Sequence, residues 1–251
     1  MTAIAPSLIS PEGGEAPSPS GKAGEGVLHF KCCDLNKYET ENIKVEINPC
    51  TLYTDIDFDY SMSKDTLPGK FAPVHTVDKS EVPLNANYTL SIKTKSIPQK
   101  LQSKATIVLL DGKNNMTAIA PSLISPEGGE APSPSGKAGD EAWITTETKY
   151  FGRFTVALDT VAPSVRPYNI FNNKNMSHAK IIGVLISDNL TGIKSYRATV
   201  DGKFILMEYE YKKALLFYEF DEHVSKGKHT FQVEVTDGKN NARTYKAEFV
   251  R

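Results

Sequence analysis

The last third of the chain alternates hydrophobic and polar residues with a period of two, which is typical of β-strands that bury one face. The alternation is clearest in the final hairpin, where Phe231, Val233 and Val235 share one face. Asp-Gly and Asn-Asn turn signals separate the apolar runs. Strands are predicted at Ser164–Ile170, Lys180–Ser187, Ile193–Val200, Lys203–Tyr209, Ala214–Phe220, Thr230–Thr236 and Arg243–Val250. This set of short strands predicts an immunoglobulin-like β-sandwich over residues 161–251.

The same alternation occurs near the N-terminus, in residues 26–48. Its apolar positions are Leu28, Phe30, Cys32, Ile43, Val45 and Ile47. The first three and the last three are predicted to face each other across a hairpin, and a hairpin alone is marginally stable in water. We therefore interpret residues 26–50 as the remnant closing hairpin of a truncated β-sandwich. Its apolar face must be covered by the unit that follows or remain exposed.

Residues 51–160 are predicted to form a middle β-sandwich domain. Its strands are predicted at Thr51–Tyr60, Tyr88–Thr94, Ala105–Leu110, Ala142–Thr148 and Tyr150–Leu158. The five residues Asp-Gly-Lys-Asn-Asn at 111–115 recur at 237–241. Both copies predict a tight turn between two strands, because Asp, Gly and Asn favour turn conformations.

One longer stretch, MTAIAPSLISPEGGEAPSPSGKAG, occurs at residues 1–24 and again without a change at 116–139. Its prolines and glycines argue against a helix or a central strand. We interpret 116–139 as a flexible loop inserted into the middle domain, and 1–25 as a flexible, tag-like segment foreign to the fold. The predicted class is therefore all-β, with tandem immunoglobulin-like sandwiches, a truncated N-terminal hairpin and disordered Pro/Gly/Ser-rich segments.

Charge and hydropathy exclude some classes of partner. Lys and Arg number 29 against 30 Asp and Glu, which argues against a nucleic-acid-binding protein. No run of about 18 apolar residues exists, so no membrane span is predicted. Residues 1–24 lack the basic start and the apolar run of a secretory signal. Cys50 has two candidate disulfide partners, Cys32 and Cys33, and the alternative is three free thiols in small apolar side chains.

No catalytic residue, cofactor or metal site is predicted. The five histidines lack the pair spacing of a zinc site, and His75 is interpreted as a solvated or locally bonded loop residue. Ser-x-x-Lys occurs three times, but without the helix and the Lys-Thr-Gly strand that serine acyl-enzymes need. Asp159, Asp188 and Asn189 lie at the linker and at strand-end turns, where oxygen ligands could gather calcium. Turn formation alone explains these residues equally well.

Two strands are apolar on both faces, Phe204-Ile-Leu-Met207 and Leu215-Leu-Phe-Tyr218. A sandwich strand with one face in water should alternate instead. The strands are expected either to pack against the preceding domain or to form a surface for a partner or ligand. The residues of the candidate interaction surface are Phe204, Leu206, Tyr209, Leu216, Tyr218 and Trp143.

Several phrases together resemble a known family. They are TKYFGRFTVALDT at residues 148–160, Val-Ala-Pro-Ser at 161–164, Ser-Asp-Asn-Leu-Thr-Gly-Ile-Lys-Ser-Tyr at 187–196, Val-Asp-Gly-Lys at 200–203 and Lys-Gly-Lys-His at 226–229. This region, about residues 26–251 without 116–139, resembles the β-sandwich tail that follows the catalytic domain of M23-type (lysostaphin-like) zinc metallopeptidases of Bacteroidetes. Asp-Thr-x-Ala-Pro linkers and Ser-Asp-x-x-x-Gly-Ile turns are also common in bacterial immunoglobulin-like domains.

The resemblance implies an accessory role. That family binds zinc through a His-x-x-x-Asp motif and a His-x-His motif, and neither occurs here, so no catalytic residue carries over. The implied function is a non-catalytic spacer, docking or wall-binding region of a periplasmic, envelope or extracellular protein. Its implied partners are peptidoglycan, another envelope glycan or the parent catalytic domain. The alternatives are a stand-alone adhesin or carbohydrate-binding module, with Trp143, Tyr209 and Tyr218 as the aromatic platform, and an enzyme of unrecognised type.

Overall fold

A computed structural model of the chain describes residues 28–79, 81–94, 97–119, 122–126 and 142–251. It is all-β, as predicted, with one four-residue helix and one 3₁₀ turn within these ranges. None of the helices in these ranges is long and apolar enough to cross a membrane. The prediction for residues 1–25 lies outside the described residues.

The N-terminal sandwich comprises residues 28–158. Its elements are β1 (Leu28–Phe30), β2 (Asn36–Glu39), β3 (Ile43–Ile47), β4 (Ile56–Phe58), β5 (Tyr60–Met62), β6 (His75–Val77), β7 (Tyr88–Lys93), α1 (Gln99–Gln102), β8 (Ala105–Leu110), β9 (Met116–Ala118), β10 (Ser122–Pro126), β11 (Ala142–Thr148) and β12 (Gly152–Leu158). One sheet has the order β10-β11-β7-β3-β2 and the other β5-β6-β12-β8-β9, while β1 and β4 form a separate pair.

The predicted N-terminal hairpin is wrong in its pairing. Strand β1 pairs with β4, whereas β3 pairs with β2 and β7. The side-chain amide of Asn36 donates to the carbonyls of Lys31 and Asp34 and thereby closes a turn directly after β1. The ring of Phe30 then stacks on Phe58 of β4, with 4.3 Å between ring centroids.

Residues 28–47 are therefore part of the first sandwich and not the remnant of another one. Ile43, Val45 and Ile47 are buried in the same core as Ile92 of β7 and Phe154 of β12. The alternation that suggested a hairpin is real, but the apolar face is covered by strands that follow residue 51. Of the two outcomes expected for this face, coverage by the next unit is the correct one.

The second copy of the long repeat, residues 116–139, differs in part from the flexible loop that was predicted. Its residues 116–118 form β9, which pairs with β8, and residues 122–126 form β10, which pairs with β11. Both are edge strands. The proline at 126 is tolerated there, because its missing backbone N–H deprives no neighbouring strand of a hydrogen bond on the open side. The Ser122 hydroxyl accepts a hydrogen bond from the Ile107 amide at 3.2 Å. This part of the repeat thus belongs to the sandwich, and residues 127–141 lie outside the described residues.

The C-terminal sandwich comprises residues 164–250. Its strands are β13 (Ser164–Pro167), β14 (Lys174–Asn175), β15 (Ile181–Ser187), β16 (Ile193–Val200), β17 (Lys203–Ile205), β18 (Glu208–Glu210), β19 (Leu215–Glu219), β20 (Lys228–Asp237) and β21 (Ala242–Val250), with a 3₁₀ turn at Tyr211–Lys213. Its sheets have the orders β13-β15-β19-β18 and β14-β21-β20-β16-β17. The run predicted as one strand at 203–209 is divided into β17 and β18, which lie in different sheets.

The alternation in the final hairpin is confirmed, since Phe231, Val233 and Val235 are buried together with Ala247 and Phe249. These residues line one side of the β20–β21 pair, as a period of two requires. The C-terminal sandwich has a core of its own, distinct from that of the N-terminal sandwich.

The three cysteines are free thiols. Cys50 and Cys33 are exposed, so they do not act as buried apolar residues. The Cys32 and Cys33 thiols form a hydrogen bond with 3.3 Å between the sulfur atoms, and the Cys50 amide donates to the Cys32 carbonyl at 2.7 Å.

Candidate functional site

The predicted interaction surface is exposed at only some of its residues. Phe204 is 59% exposed and Leu206 is 74% exposed, while Ile205 and Met207, which alternate with them, are buried. The run therefore alternates like an ordinary strand, with its outward positions occupied by large apolar side chains. Tyr209 is half-buried.

Leu216 and Tyr218 are not part of a surface, which corrects the prediction for these two residues. Both are buried in the C-terminal core, because β19 is an interior strand between β15 and β18. The outer face of β19 is covered within the same sandwich, since Leu215 and Tyr168 lie together over Gly183. Burial raises the pKa of Tyr218 to about 12, and its hydroxyl donates to Asp221.

Trp143 lies apart from the other predicted residues. It is on β11 of the N-terminal sandwich, half-buried, with the Lys44 ammonium 4.8 Å from its ring centroid. The six predicted residues therefore form no single surface. Phe204, Leu206 and Tyr209 remain as candidates on the C-terminal sandwich.

Two further tyrosines, which were missed from the sequence, contact Tyr209. The Tyr209 ring is 6.2 Å from the Tyr196 ring and 6.0 Å from the Tyr211 ring, both in edge-to-face geometry. Tyr211 is strongly exposed and begins the 3₁₀ turn. Strand β17 is at the edge of one sheet and β18 at the edge of the other, while Tyr196 and Tyr209 are half-buried against the C-terminal core. The sequence Tyr209-Glu-Tyr211 could have indicated that these two rings lie near each other.

A second candidate site lies where the two sandwiches meet. Asp159 directly follows β12 and is 1% exposed. Its amide donates to the Lys104 carbonyl at 2.9 Å, which ties it to the N-terminal sandwich. Its Oδ2 accepts hydrogen bonds from the Thr191 amide at 3.2 Å and from the Thr191 hydroxyl at 2.5 Å, which tie it to the C-terminal sandwich. The linker is thus bonded on both sides.

The turn at residues 237–241 completes this junction. Asp237 is fully buried, and its Oδ1 accepts hydrogen bonds from the amides of Lys239 and Asn241, both at 2.8 Å. The Asn241 side-chain amide donates to Asp237 Oδ2 at 2.7 Å and to the Asp159 carbonyl at 3.0 Å. The Lys104 ammonium crosses from the N-terminal sandwich to the Lys239 carbonyl at 2.7 Å.

An apolar contact accompanies these hydrogen bonds. Leu190 of the β15–β16 loop packs against a small cluster of the N-terminal sandwich that contains Val108, Leu110 and Ala157. Polar and apolar contacts together therefore join the linker, the β15–β16 loop and the β20–β21 turn.

Three carboxylates converge at this junction. One oxygen each of Asp159, Asp188 and Asp237 lie within 4.8 Å of one another. The sequence pointed to Asp159 and Asp188, which the structure brings together, whereas Asn189 is exposed and outside the cluster. From the sequence, Asp237 was predicted to lie in a turn and was not among the candidate ligands. The pairing of Ile193 with Asp237 in the β16–β20 ladder is what places it beside the β15–β16 loop.

His75 is not a loop residue, which corrects the sequence interpretation. It lies on β6, is fully buried, and its Nδ1 is 2.9 Å from the Tyr60 hydroxyl. Burial lowers the pKa of His75 to about 4, so the ring is neutral at pH 7. Its environment is that of a core residue of the N-terminal sandwich.

The family model described as the Zu5-like domain matches residues 28–159. No curated protein matches the chain. Among solved structures, the fibronectin(III)-like modules of Clostridium thermocellum CbhA are 14% identical, with 76% of this chain and 93% of that chain covered and a TM-score of 0.31. The matched range of the family model begins at β1 and ends at Asp159, and thus coincides with the N-terminal sandwich. Because that range is more than half of the 251 residues, the chain belongs to the Zu5-like domain family.

Proposed function

We propose that the chain is a non-catalytic accessory region of a bacterial envelope protein, acting as a spacer or docking element. The observation that carries this proposal is the bonded linker. Asp159 is buried and hydrogen-bonded to Lys104 on one side and to Thr191 on the other. A linker of this kind holds two domains in one arrangement, as a spacer requires, whereas exposed, flexible linkers leave domain motion as the default.

The resemblance to the tail of M23-type peptidases supports a finer proposal. The chain would lie beside the catalytic domain of such an enzyme, in the periplasm, the envelope or outside the cell. Its partner would be peptidoglycan, another envelope glycan or the catalytic domain itself. The His-x-x-x-Asp and His-x-His zinc motifs of that family do not occur in the sequence, which supports an accessory rather than a hydrolytic role.

The spacer proposal is tested by small-angle X-ray scattering of the full chain. We expect one fixed separation of the two sandwiches. The pair Thr191→Val with Asn241→Ala removes the Thr191 hydroxyl and Asn241 amide bonds to Asp159 and should broaden the distribution of separations. The pair Thr230→Val with Asn115→Ala makes the same chemical changes at exposed residues outside the junction and should leave the distribution unchanged. A wild-type chain that already samples a broad range of separations would contradict the proposal.

A second function, a carbohydrate-binding module or adhesin, is favoured by the exposed aromatic side. Phe204, Leu206 and Tyr211 are exposed, and Tyr211 continues an edge-to-face series through Tyr209 to Tyr196. Exposed aromatic rings are typical of surfaces that bind partners through apolar contact with a polar rim.

Sedimentation with purified peptidoglycan tests this second function. We expect the full chain to co-sediment without releasing soluble fragments, and Phe204→Ser with Leu206→Ser to weaken binding by at least about tenfold. Phe171→Ser removes an exposed aromatic residue elsewhere on the same sandwich and serves as the control. Binding that is unaffected by the double substitution would exclude this surface, and release of fragments would identify an enzyme.

A further inference from the structure

We propose that the junction of the two sandwiches is a calcium-binding site formed by the carboxylates of Asp159, Asp188 and Asp237. The three residues come from separate parts of the chain: the linker, the β15–β16 loop and the end of β20. The site is inferred from the atoms of the junction and does not rest on the proposed function.

The spacing of the carboxylates fits one shared cation. Their nearest oxygens all lie within 4.8 Å of one another. Calcium binds oxygen ligands at about 2.3–2.6 Å, so two oxygens on one calcium ion are separated by at most about 5 Å. The cluster satisfies this limit for all three pairs without any movement of the backbone.

The surroundings do not neutralise the cluster. Asp159 is 1% exposed, Asp237 is fully buried and Asp188 is half-buried. Within the part of the chain that the structure describes, the Lys and Arg ion pairs involve other carboxylates. Lys239 is nearby, but its ammonium donates to the Ser122 carbonyl at 3.3 Å. Three carboxylates this close together, two of them buried, are costly unless a cation joins them.

One carboxylate oxygen of Asp188 lacks any hydrogen-bond donor. Asp188 Oδ2 accepts hydrogen bonds from the amides of Leu190 at 3.0 Å and Gly192 at 2.9 Å. Asp188 Oδ1 is closed off from solvent and has no hydrogen-bond partner in the structure. A buried carboxylate oxygen without a donor is uncommon, and an ion is one of the partners that account for it. This observation is independent of the distances among the three aspartates.

The ligand set selects the class of ion. All three ligands are carboxylate oxygens, which suit hard cations such as Ca²⁺ and Mg²⁺, whereas zinc prefers His nitrogen and Cys sulfur. Mg²⁺ binds at about 2.0–2.1 Å and demands near-ideal octahedral geometry. The three carboxylates come from three segments and are held by hydrogen bonds to the backbone. Calcium has a more flexible coordination geometry than magnesium and therefore accommodates such ligands more readily.

Binding there would fix the linker to both loops at once, because each of the three segments contributes one ligand. The calcium ion would stabilise the junction beyond the hydrogen bonds of Asp159. The full chain is therefore expected to gain stability with calcium in a saturable manner, since an ion that binds only the folded state shifts the unfolding equilibrium.

The test is calorimetric titration of the full chain with Ca²⁺ after treatment with a chelator. We expect one equivalent to bind and the melting temperature to rise. Asp188→Asn retains an oxygen for the Leu190 and Gly192 amides but removes the charge, and should weaken binding by at least about tenfold. Asp111→Asn changes the matching aspartate of the exposed copy of the turn and should bind calcium like the wild type. Mg²⁺ should bind more weakly than Ca²⁺.

Several results would overturn the proposal. The weakest class of protein calcium sites has dissociation constants of about 10⁻³ M, so an absence of heat and of melting shift up to roughly 10 mM Ca²⁺ excludes the site. Equal weakening by Asp188→Asn and Asp111→Asn would show non-specific binding to acidic residues. If Asp188→Asn does not fold, hydrogen exchange of the wild type with and without calcium tests the site instead. Calcium must slow exchange at residues 188–192 and 237–241 but not at 111–115, and any other pattern rejects the site.

Discussion

The chain contains the sequence Asp-Gly-Lys-Asn-Asn twice, and the two copies adopt the same turn. In each, the first Asp accepts hydrogen bonds at 2.8 Å from the backbone amides of the Lys and the last Asn. The last Asn donates its side-chain amide to the other Asp oxygen at 2.7 Å. The fourth residue has a positive φ in both copies, 63° at Asn114 and 59° at Asn240. Local sequence is thus sufficient to determine this turn.

The surroundings of the two turns differ completely. Asp111 is exposed, and its turn is contacted by Arg153, whose guanidinium donates to the Asp111 carbonyl and to Asn114 Oδ1, both at 3.0 Å. Asp237 is buried beside Asp159 and Asp188. The same five residues are a solvated turn in one sandwich and a structural part of the domain junction in the other. The comparison shows that a motif can have one conformation and two roles, decided by what packs against it.

The largest difference is expected between Gly238→Ala and Gly112→Ala. A Cβ at Gly238 would lie 3.0 Å from the Thr191 carbonyl oxygen and 3.1 Å from the Thr191 Cβ, whereas a Cβ at Gly112 meets nothing within 4 Å. Gly238→Ala should destabilise the chain by about 1–3 kcal/mol through the forced shift of packed backbone. Gly112→Ala should be neutral or slightly stabilising. Chemical denaturation measures both, and equal effects would show that the junction is not closely packed.

The next effect concerns the last Asn of each turn. Asn241→Ala removes the bonds to both Asp237 and the linker carbonyl of Asp159, whereas Asn115→Ala removes only an exposed bond to Asp111. Asn241→Ala should cost about 1–2 kcal/mol more of unfolding free energy, because it leaves a partly buried carbonyl without its donor. Thermal unfolding of the two single variants tests this. A larger loss for Asn115→Ala would contradict the assignment of Asn241 to the junction.

A smaller difference is expected for the basic residue that contacts each turn. Lys104→Met removes the hydrogen bond to the Lys239 carbonyl across the junction, and Arg153→Met removes the two bonds to the exposed turn. We expect a loss of about 1 kcal/mol for Lys104→Met, since its bond is partly buried, and a loss nearer zero for the solvent-exposed Arg153 contacts. Denaturant midpoints at low and high salt provide the measurement. A salt-sensitive Lys104 contribution would indicate that the contact is exposed after all.

The smallest effect is a change in titration. The Asn115 side-chain amide, followed by its backbone amide, lowers the pKa of Asp111. Because the pKa in the folded chain is below the ordinary value, the contribution of Asp111 to stability is present above that value and is lost as pH falls through the lowered one. Asn115→Ala should raise the pKa of Asp111 toward its ordinary value, as followed by carboxyl NMR. The carboxyl of Asp201 in the other sandwich should not move, and an unchanged Asp111 would disprove the role of Asn115.

Much of the fold could be predicted from the sequence because it depends on short-range patterns. The alternation in Phe231, Val233 and Val235 placed β20 and β21, and the bounds of β16 were predicted without error. The two Asp-Gly-Lys-Asn-Asn turns were predicted for the same reason, since their hydrogen bonds are made within five residues. The pairing of β1 was not predictable in this way, because it depends on the Asn36 side chain and on Phe58 of a later strand.

The candidate sites depended on contacts between distant residues, and the sequence predicted them only in part. Asp159 and Asp188 were singled out, but Asp237 enters the cluster through the β16–β20 ladder, which no local pattern encodes. Leu216 and Tyr218 were expected at a surface because β19 is apolar on both faces. The Tyr168 and Leu215 side chains that meet over Gly183 come from different segments, which a strand-by-strand interpretation does not detect.

The sequences of β9 and β10 each occur twice in the chain. Residues 1–3 repeat the sequence of β9, and residues 7–11 repeat the sequence of β10. The side chains are the same in both copies, so side-chain packing at the edges of β8 and β11 would not favour one copy over the other. Chain connectivity favours the internal copy, because it is continuous with β8 and is therefore present at a high effective concentration. We expect a substitution confined to the internal copy, such as Ser122→Pro, to shift this competition toward the N-terminal copy of the same or a second molecule. Size-exclusion chromatography that shows no dimer, together with full loss of stability, would indicate that the terminal copy does not compete.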